Sequence, residues 1–109
     1  MEFYRRHASI LKVLAHPARL KVLDLLTDRE LTLLQVQEWV DVDPTSLARH
    51  LSLLRQAGLV REQRHGRVLY FRADKKFVEP FLALLESVEP LPRQTAFKSE
   101  WPVETQETA

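Results

Sequence analysis

Cysteine is absent from this 109-residue chain, which excludes disulfides, thiolate metal ligands and thiol redox sensing. No apolar run approaches the roughly 20 residues that a membrane-spanning helix needs. No apolar stretch follows Met1-Glu2-Phe3-Tyr4-Arg5-Arg6, so no signal peptide is read there and a cytoplasmic location is expected, with no membrane partner. Also missing are a glycine-rich phosphate loop, a paired-carboxylate site and a Ser-His-Asp arrangement, so an enzyme is not expected. No internal repeat occurs.

Net charge is nearly absent too, at +1, but the charges are not evenly spread. Residues 1–43 hold six Lys/Arg against seven Asp/Glu, a balance of −1. Residues 44–76 hold eight Lys/Arg against Glu62 and Asp74, a balance of +6. Residues 77–109 hold Arg93 and Lys98 against six Glu, a balance of −4. A basic middle suits a polyanion such as DNA, and a solvated arginine-rich surface accounts for the charge equally well. The remaining composition, 45% hydrophobic and 28% charged, is that of an ordinary globular domain. The length implies one domain, small enough for oligomerisation to add useful burial.

Apolar periodicity predicts a first helix over 3–15, with Ile10, Leu11 and Leu14 on one face and Tyr4 and His7 near it. His16-Pro17 interrupts it, and Pro17 suits the first turn of a second helix over 17–27. That helix carries Leu20, Leu23 and Leu26, widened by Val22 and Leu25. Thr32 followed three later by Gln35 has the capping-box pattern and opens a third helix over 32–39, with Leu33, Val36 and Trp39 or Val40 inward. Asp41-Val42-Asp43 is a polar break. Asp43 is a good N-cap and Pro44 a good first helical residue for a fourth helix over 44–57, ended by Gly58. Residues 59–64 and 68–72 read as strands joined at His65-Gly66-Arg67. A fifth helix begins between 75 and 80 and carries Phe77, Phe81, Leu84, Leu85 and Val88, with Pro80 expected in its first turn. Residues 1–89 thus form the domain, and 90–109 are expected to be a flexible tail in which Phe97 and Trp101 could dock.

Two helices joined by a three-residue polar break form a helix-turn-helix, and the hairpin after them is a wing. The predicted class is mainly α with a small β-hairpin, in the order α-α-α-α-β-β-α. In such a motif the N-terminal residues of the second helix face base edges in the major groove. With Leu47, Leu51 and Leu54 inward, Thr45, Ser46, Arg49 and Ser52 face out. Thr45 and Ser46 can donate to phosphates or bases, and Arg49 can take a guanine bidentately. Arg64, His65 and Arg67 at the wing tip would reach the minor groove or phosphates.

Three segments resemble the ArsR/SmtB-type winged-helix regulators: Leu14-Ala15-His16-Pro17-Ala18-Arg19-Leu20-Lys21-Val22-Leu23, Ser46 through Val60, and the wing Arg64-His65-Gly66-Arg67-Val68-Leu69-Tyr70-Phe71. The resemblance spans about residues 5–88. It implies a homodimer built on the first and last helices, a two-fold operator in double-stranded DNA, and repression relieved by an effector. The recognition role carries over to Arg49 and His50. The family usually has Ser at Ala48 and often Gln or another polar residue at Pro44, departures that would lower affinity or alter base preference. The dimer surface implied is Tyr4, His7 and Leu11 with Phe77, Phe81, Leu84, Leu85 and Val88. The last five could alternatively be plain core.

The family's effector sites do not carry over. Where many members have Glu-Leu-Cys-x-Cys, this chain has Glu30-Leu31-Thr32-Leu33-Leu34. Where others bind zinc or nickel between the last helices, this chain offers Asp74, Glu79, Glu86 and Glu89 without histidine, a set that suits only hard cations, weakly. No metal and no cofactor are therefore expected. An organic or protein effector is left open. His16 reads as a structural residue, His65 as a solvated one, and His50 as either a phosphate contact or packing against the third helix. A winged fold serving only protein interaction is the alternative, which Pro44 and Ala48 favour slightly.

Overall fold

A computed structural model describes residues 1–91. Its elements in chain order are α1 (Glu2–Leu14), α2 (Pro17–Asp28), β1 (Leu31–Thr32), α3 (Leu33–Gln37), α4 (Pro44–Gln56), β2 (Val60–His65), β3 (Val68–Ala73) and α5 (Lys75–Val88). The three strands form one antiparallel sheet in the order β1-β3-β2. The greater part of the expected tail, 92–109 with Phe97 and Trp101, lies outside the described residues. Leu91, at its start, packs against the core.

Local chemistry sets the helix ends. His16 caps α2, its Nδ1 accepting from the Ala18 N–H at 3.2 Å, with Pro17 next in line. Thr32 and Gln35 form the reciprocal capping box, with bonds of 3.2 and 2.9 Å. The Asp43 carboxylate accepts from the Ser46 N–H at 2.8 Å and from its hydroxyl at 2.9 Å, which holds the acid below its usual range. Gly58, at φ +80°, ends α4. There the Leu59 N–H donates to the Leu54 carbonyl and the Gly58 N–H to that of Arg55, both at 2.9 Å. That is the Schellman arrangement, with Leu54 and Leu59 both buried.

The core gathers around α2, which packs against α4, α5 and β3. Val22, Leu23, Leu25 and Leu26 are buried on it, and Leu47, Leu51 and Leu54 meet them from α4. Each buried leucine contributes roughly 1.5–3 kcal/mol relative to exposure.

Three expectations are corrected. Leu31–Thr32 pairs with Phe71 and Tyr70 of β3; two residues are too few to show the alternation that marks a strand. The third helix stops at Gln37, and Trp39 and Val40 close its last turn by donating to the Val36 carbonyl at 3.0 and 3.2 Å. Pro80 is the sixth residue of α5, not part of its first turn. Asp74 caps that helix early, its carboxylate accepting from the Lys76 N–H at 3.3 Å, and Pro80 is exposed, so water can satisfy the carbonyl that its missing N–H leaves.

Candidate nucleic-acid interface

An α-helix turns about 100° per residue, so Thr45, Ala48, Arg49 and Ser52 share one arc of α4. Leu47, His50, Leu51 and Leu54 share the opposite arc. The inward set is buried, which aims the outward set at solvent. Pro44, Thr45, Ala48 and Arg49 are exposed. The Arg49 guanidinium makes no hydrogen bond or ion pair among the described residues. Ser46 is half-buried and committed to the Asp43 cap. Ser52 is half-buried, and its hydroxyl accepts from Gln56 Nε2 at 3.2 Å.

His50 is the departure on this helix. Only 8% of it is exposed. Its Nδ1 accepts from Arg19 Nε at 3.1 Å, and its ring lies 4.5 Å from that of His16. It therefore packs, with Arg19 and His16 at the start of α2 against it, and its side chain is withdrawn from the face that presents Arg49. The sequence pattern alone holds a signal for this, because His50 falls on the same arc as Leu47 and Leu54.

The wing is β2, β3 and the turn at Gly66, where φ is +65°. Arg64 and Arg67 are exposed and make no ion pair among the described residues. His65 is also exposed, but its Nε2 lies 3.3 Å from Glu30 Oε1 and its ring meets Tyr70 edge-on at 5.1 Å. Glu30 also reaches Arg72, at 3.9 Å, and Arg55 pairs with Glu62 at 3.2 Å. Part of the basic middle is thus neutralised internally. Arg49, Arg64 and Arg67 keep their charge for something else. Glu30 was not legible as a wing contact, since 35 residues separate it from His65.

The expected dimer residues lie on α1 and α5. Tyr4, His7 and Leu11 are exposed, and His7 Nδ1–H donates to the Phe3 carbonyl at 2.8 Å. On α5 the residues turned into the core are Val78 and Leu82. Phe77, Leu84 and Val88 are exposed, the last two at 65% and 86%, and Phe81 and Leu85 are half-buried. Phe77 and Phe81 stack at 5.6 Å. Phe3 is a further exposed ring on α1, in edge contact with Tyr4. Among the described residues no group of three or more His, Asp or Glu is placed to hold a metal ion.

A two-helix reading unit followed by a basic β-hairpin defines a winged helix-turn-helix. A helix-turn-helix domain family matches residues 14–63. The uncharacterized HTH-type transcriptional regulator Rv0081 of Mycobacterium tuberculosis is 30% identical over 86 residues, which are 78% of this chain and 75% of that one. Its crystal structure superposes with a TM-score of 0.75 at 29% identity, covering 81% and 89% of the two chains. The homodimeric winged helix-turn-helix DNA-binding domain of a possible ArsR-family transcriptional regulator from Mycobacterium bovis gives 0.72 at 26% identity, covering 88% and 87%. The transcriptional repressor SdpR of Bacillus subtilis is 30% identical over 63 residues, 58% of this chain and 70% of that one. The chain belongs to the ArsR-type helix-turn-helix transcriptional regulators.

Proposed function

We propose that the protein represses transcription by gripping a two-fold operator as a homodimer. One α4 enters each of two successive major grooves, and each wing touches the flanking minor groove or its phosphates. Arg49 takes a guanine by its O6 and N7, Thr45 offers a hydroxyl to a neighbouring base or phosphate, and the Ala48 methyl suits the methyl of a thymine. Arg64 and Arg67 anchor on phosphate or in the minor groove, with His65 beside them. The observation that carries this reading is the uncommitted Arg49 on the open arc of a helix whose other arc is locked in the core.

The second chain follows from α5. A side chain as apolar as Leu84 or Val88 gains by leaving water, and a two-fold axis would bring the same stripe of another copy against it. Phe77, Phe81, Leu84, Leu85 and Val88 form that seam, with Tyr4, His7 and Leu11 of α1 contributing beside it. Repression is the economical outcome, since occupying a promoter requires no further contact surface. The SdpR relationship supports that sign. An effector, where one acts, is an organic molecule or a protein and not a thiolate-bound metal, since the chain has no cysteine.

The test is selection from a pool of random duplexes, followed by affinity measurement across a salt series. A palindromic site with log-linear loss of affinity on added salt is expected. Retention of no duplex at low salt would favour the protein-interaction alternative and end the DNA reading. A promoter carrying the selected site should lose output when the protein is present; raised output would reverse the sign.

A further inference from the structure

We propose that Arg19 and His50 form a proton-sensitive latch that fixes how α4 is presented to DNA, an inference that rests on α4 being the reading helix. Arg19 Nε–H donates to His50 Nδ1 at 3.1 Å, and Arg19 Nη1 donates to the Val13 carbonyl at 3.2 Å. One half-buried guanidinium therefore joins the end of α1, the first turn of α2 and the middle of α4. The leucines on the inward arc of α4 hold it to the core, but apolar contact is non-directional. The Arg19–His50 bond is directional, and it sets the rotation on which Arg49 and Ala48 depend.

A guanidinium only donates. His50 must therefore keep a lone pair on Nδ1, which makes it neutral with its proton on Nε2. Beside it, His16 Nδ1 accepts the Ala18 N–H as the cap of α2. The groups facing His50 are His16 and Arg19 across the α2 contact, Arg49 beside it on α4, and Asp43 at the head of α4. Only Asp43 favours a proton on His50. Burial opposes it first, and the positive neighbours oppose it further, so His50 titrates below its ordinary range. Once protonated, Nδ1 becomes a donor aimed at a donor, and two cations meet where a hydrogen bond stood. The latch opens while the leucines still hold the fold. Base reading, which needs the outward arc in place, is lost before phosphate binding, which does not.

The discriminating readout is the ratio of affinities for the selected operator and for a random duplex of equal length, at pH 7.5 and pH 5.0. A change of wing charge acts through phosphate on both duplexes and so cancels in the ratio. His50→Asn keeps an acceptor near the Nδ1 position without titrating, and His50→Leu fills the space without one. We expect the wild-type ratio to fall about tenfold on acidification, His50→Asn to hold it, and His50→Leu to be low at both pH values. A purely structural role would lower the melting temperature and leave the ratio unchanged. A His50→Leu ratio equal to wild type at pH 7.5 overturns the latch. If that variant does not fold, a wild-type ratio flat in pH, or one that falls equally in His50→Asn, overturns it. In the free protein, the Arg19 Nε–H resonance should be protected at pH 7.5 and lost as His50 protonates. If no duplex is selected, the reading of α4 has failed, and this NMR titration alone decides the latch: an unprotected resonance at pH 7.5 rejects it.

Discussion

Helices α2 and α5 are both rich in leucine and valine, yet their apolar surfaces meet different fates. In α2, Val22, Leu23, Leu25 and Leu26 are all buried within the one chain. In α5, Val78 and Leu82 are buried, while Phe77, Leu84 and Val88 remain in water. The first helix is complete as folded and the second is not. The same contrast divides α4 by arc, with leucines and His50 used inside, and Thr45, Ala48 and Arg49 unused outside. On the proposed reading, the surfaces that meet DNA and a second copy are those that the fold has not consumed.

Substitutions on the two sides of that contrast should separate cleanly. The largest effect is expected for Leu23→Ala, which empties a fully buried site on α2; about 2–5 kcal/mol of stability should be lost in denaturant unfolding. Leu84→Glu should leave the fold of the protomer intact but weaken self-association by about 2–4 kcal/mol, because a two-fold seam receives the carboxylate twice. Sedimentation reads this, and an unchanged mass would remove α5 from the interface. Arg49→Ala should leave stability unaltered while costing roughly 1–3 kcal/mol in operator binding and relaxing base preference at one position. Unaltered operator binding would displace Arg49 from the reading role.

The smallest effect expected is on stability against pH. His50 and Asp43 both have folded-state values below their ordinary ones, so both favour the fold while deprotonated. The contribution of His50 is complete above the ordinary histidine value of 6.5 and is lost as pH falls below it through the depressed folded value. That of Asp43 is complete above 3.8 and is lost on further acidification. Thermal melts should show the first decline in wild type and not in His50→Asn.

What could be read in the sequence was local. Pro17 and Pro44 at helix starts, the Thr32–Gln35 box and the glycine after α4 each act within a few residues, so their chemistry is written in the order of the chain. The helix-turn-helix and wing follow from them. What escaped was set by distant partners. Strand β1 is defined only by Phe71 and Tyr70, about forty residues on. His50 is defined by Arg19, 31 residues back, and the charge of the wing by Glu30. Early capping by Asp74 moved Pro80 inward along α5, a boundary that hydrophobic spacing does not resolve.

Hydroxyl-radical footprinting of the selected duplex addresses the paired-reader account most directly. Two equivalent protected patches should appear, related by a two-fold axis, with centres one helical turn apart, about 10–10.5 base pairs. A single patch without symmetry would mean that one chain binds alone, and the claim that α5 is completed by a second copy on DNA would be wrong.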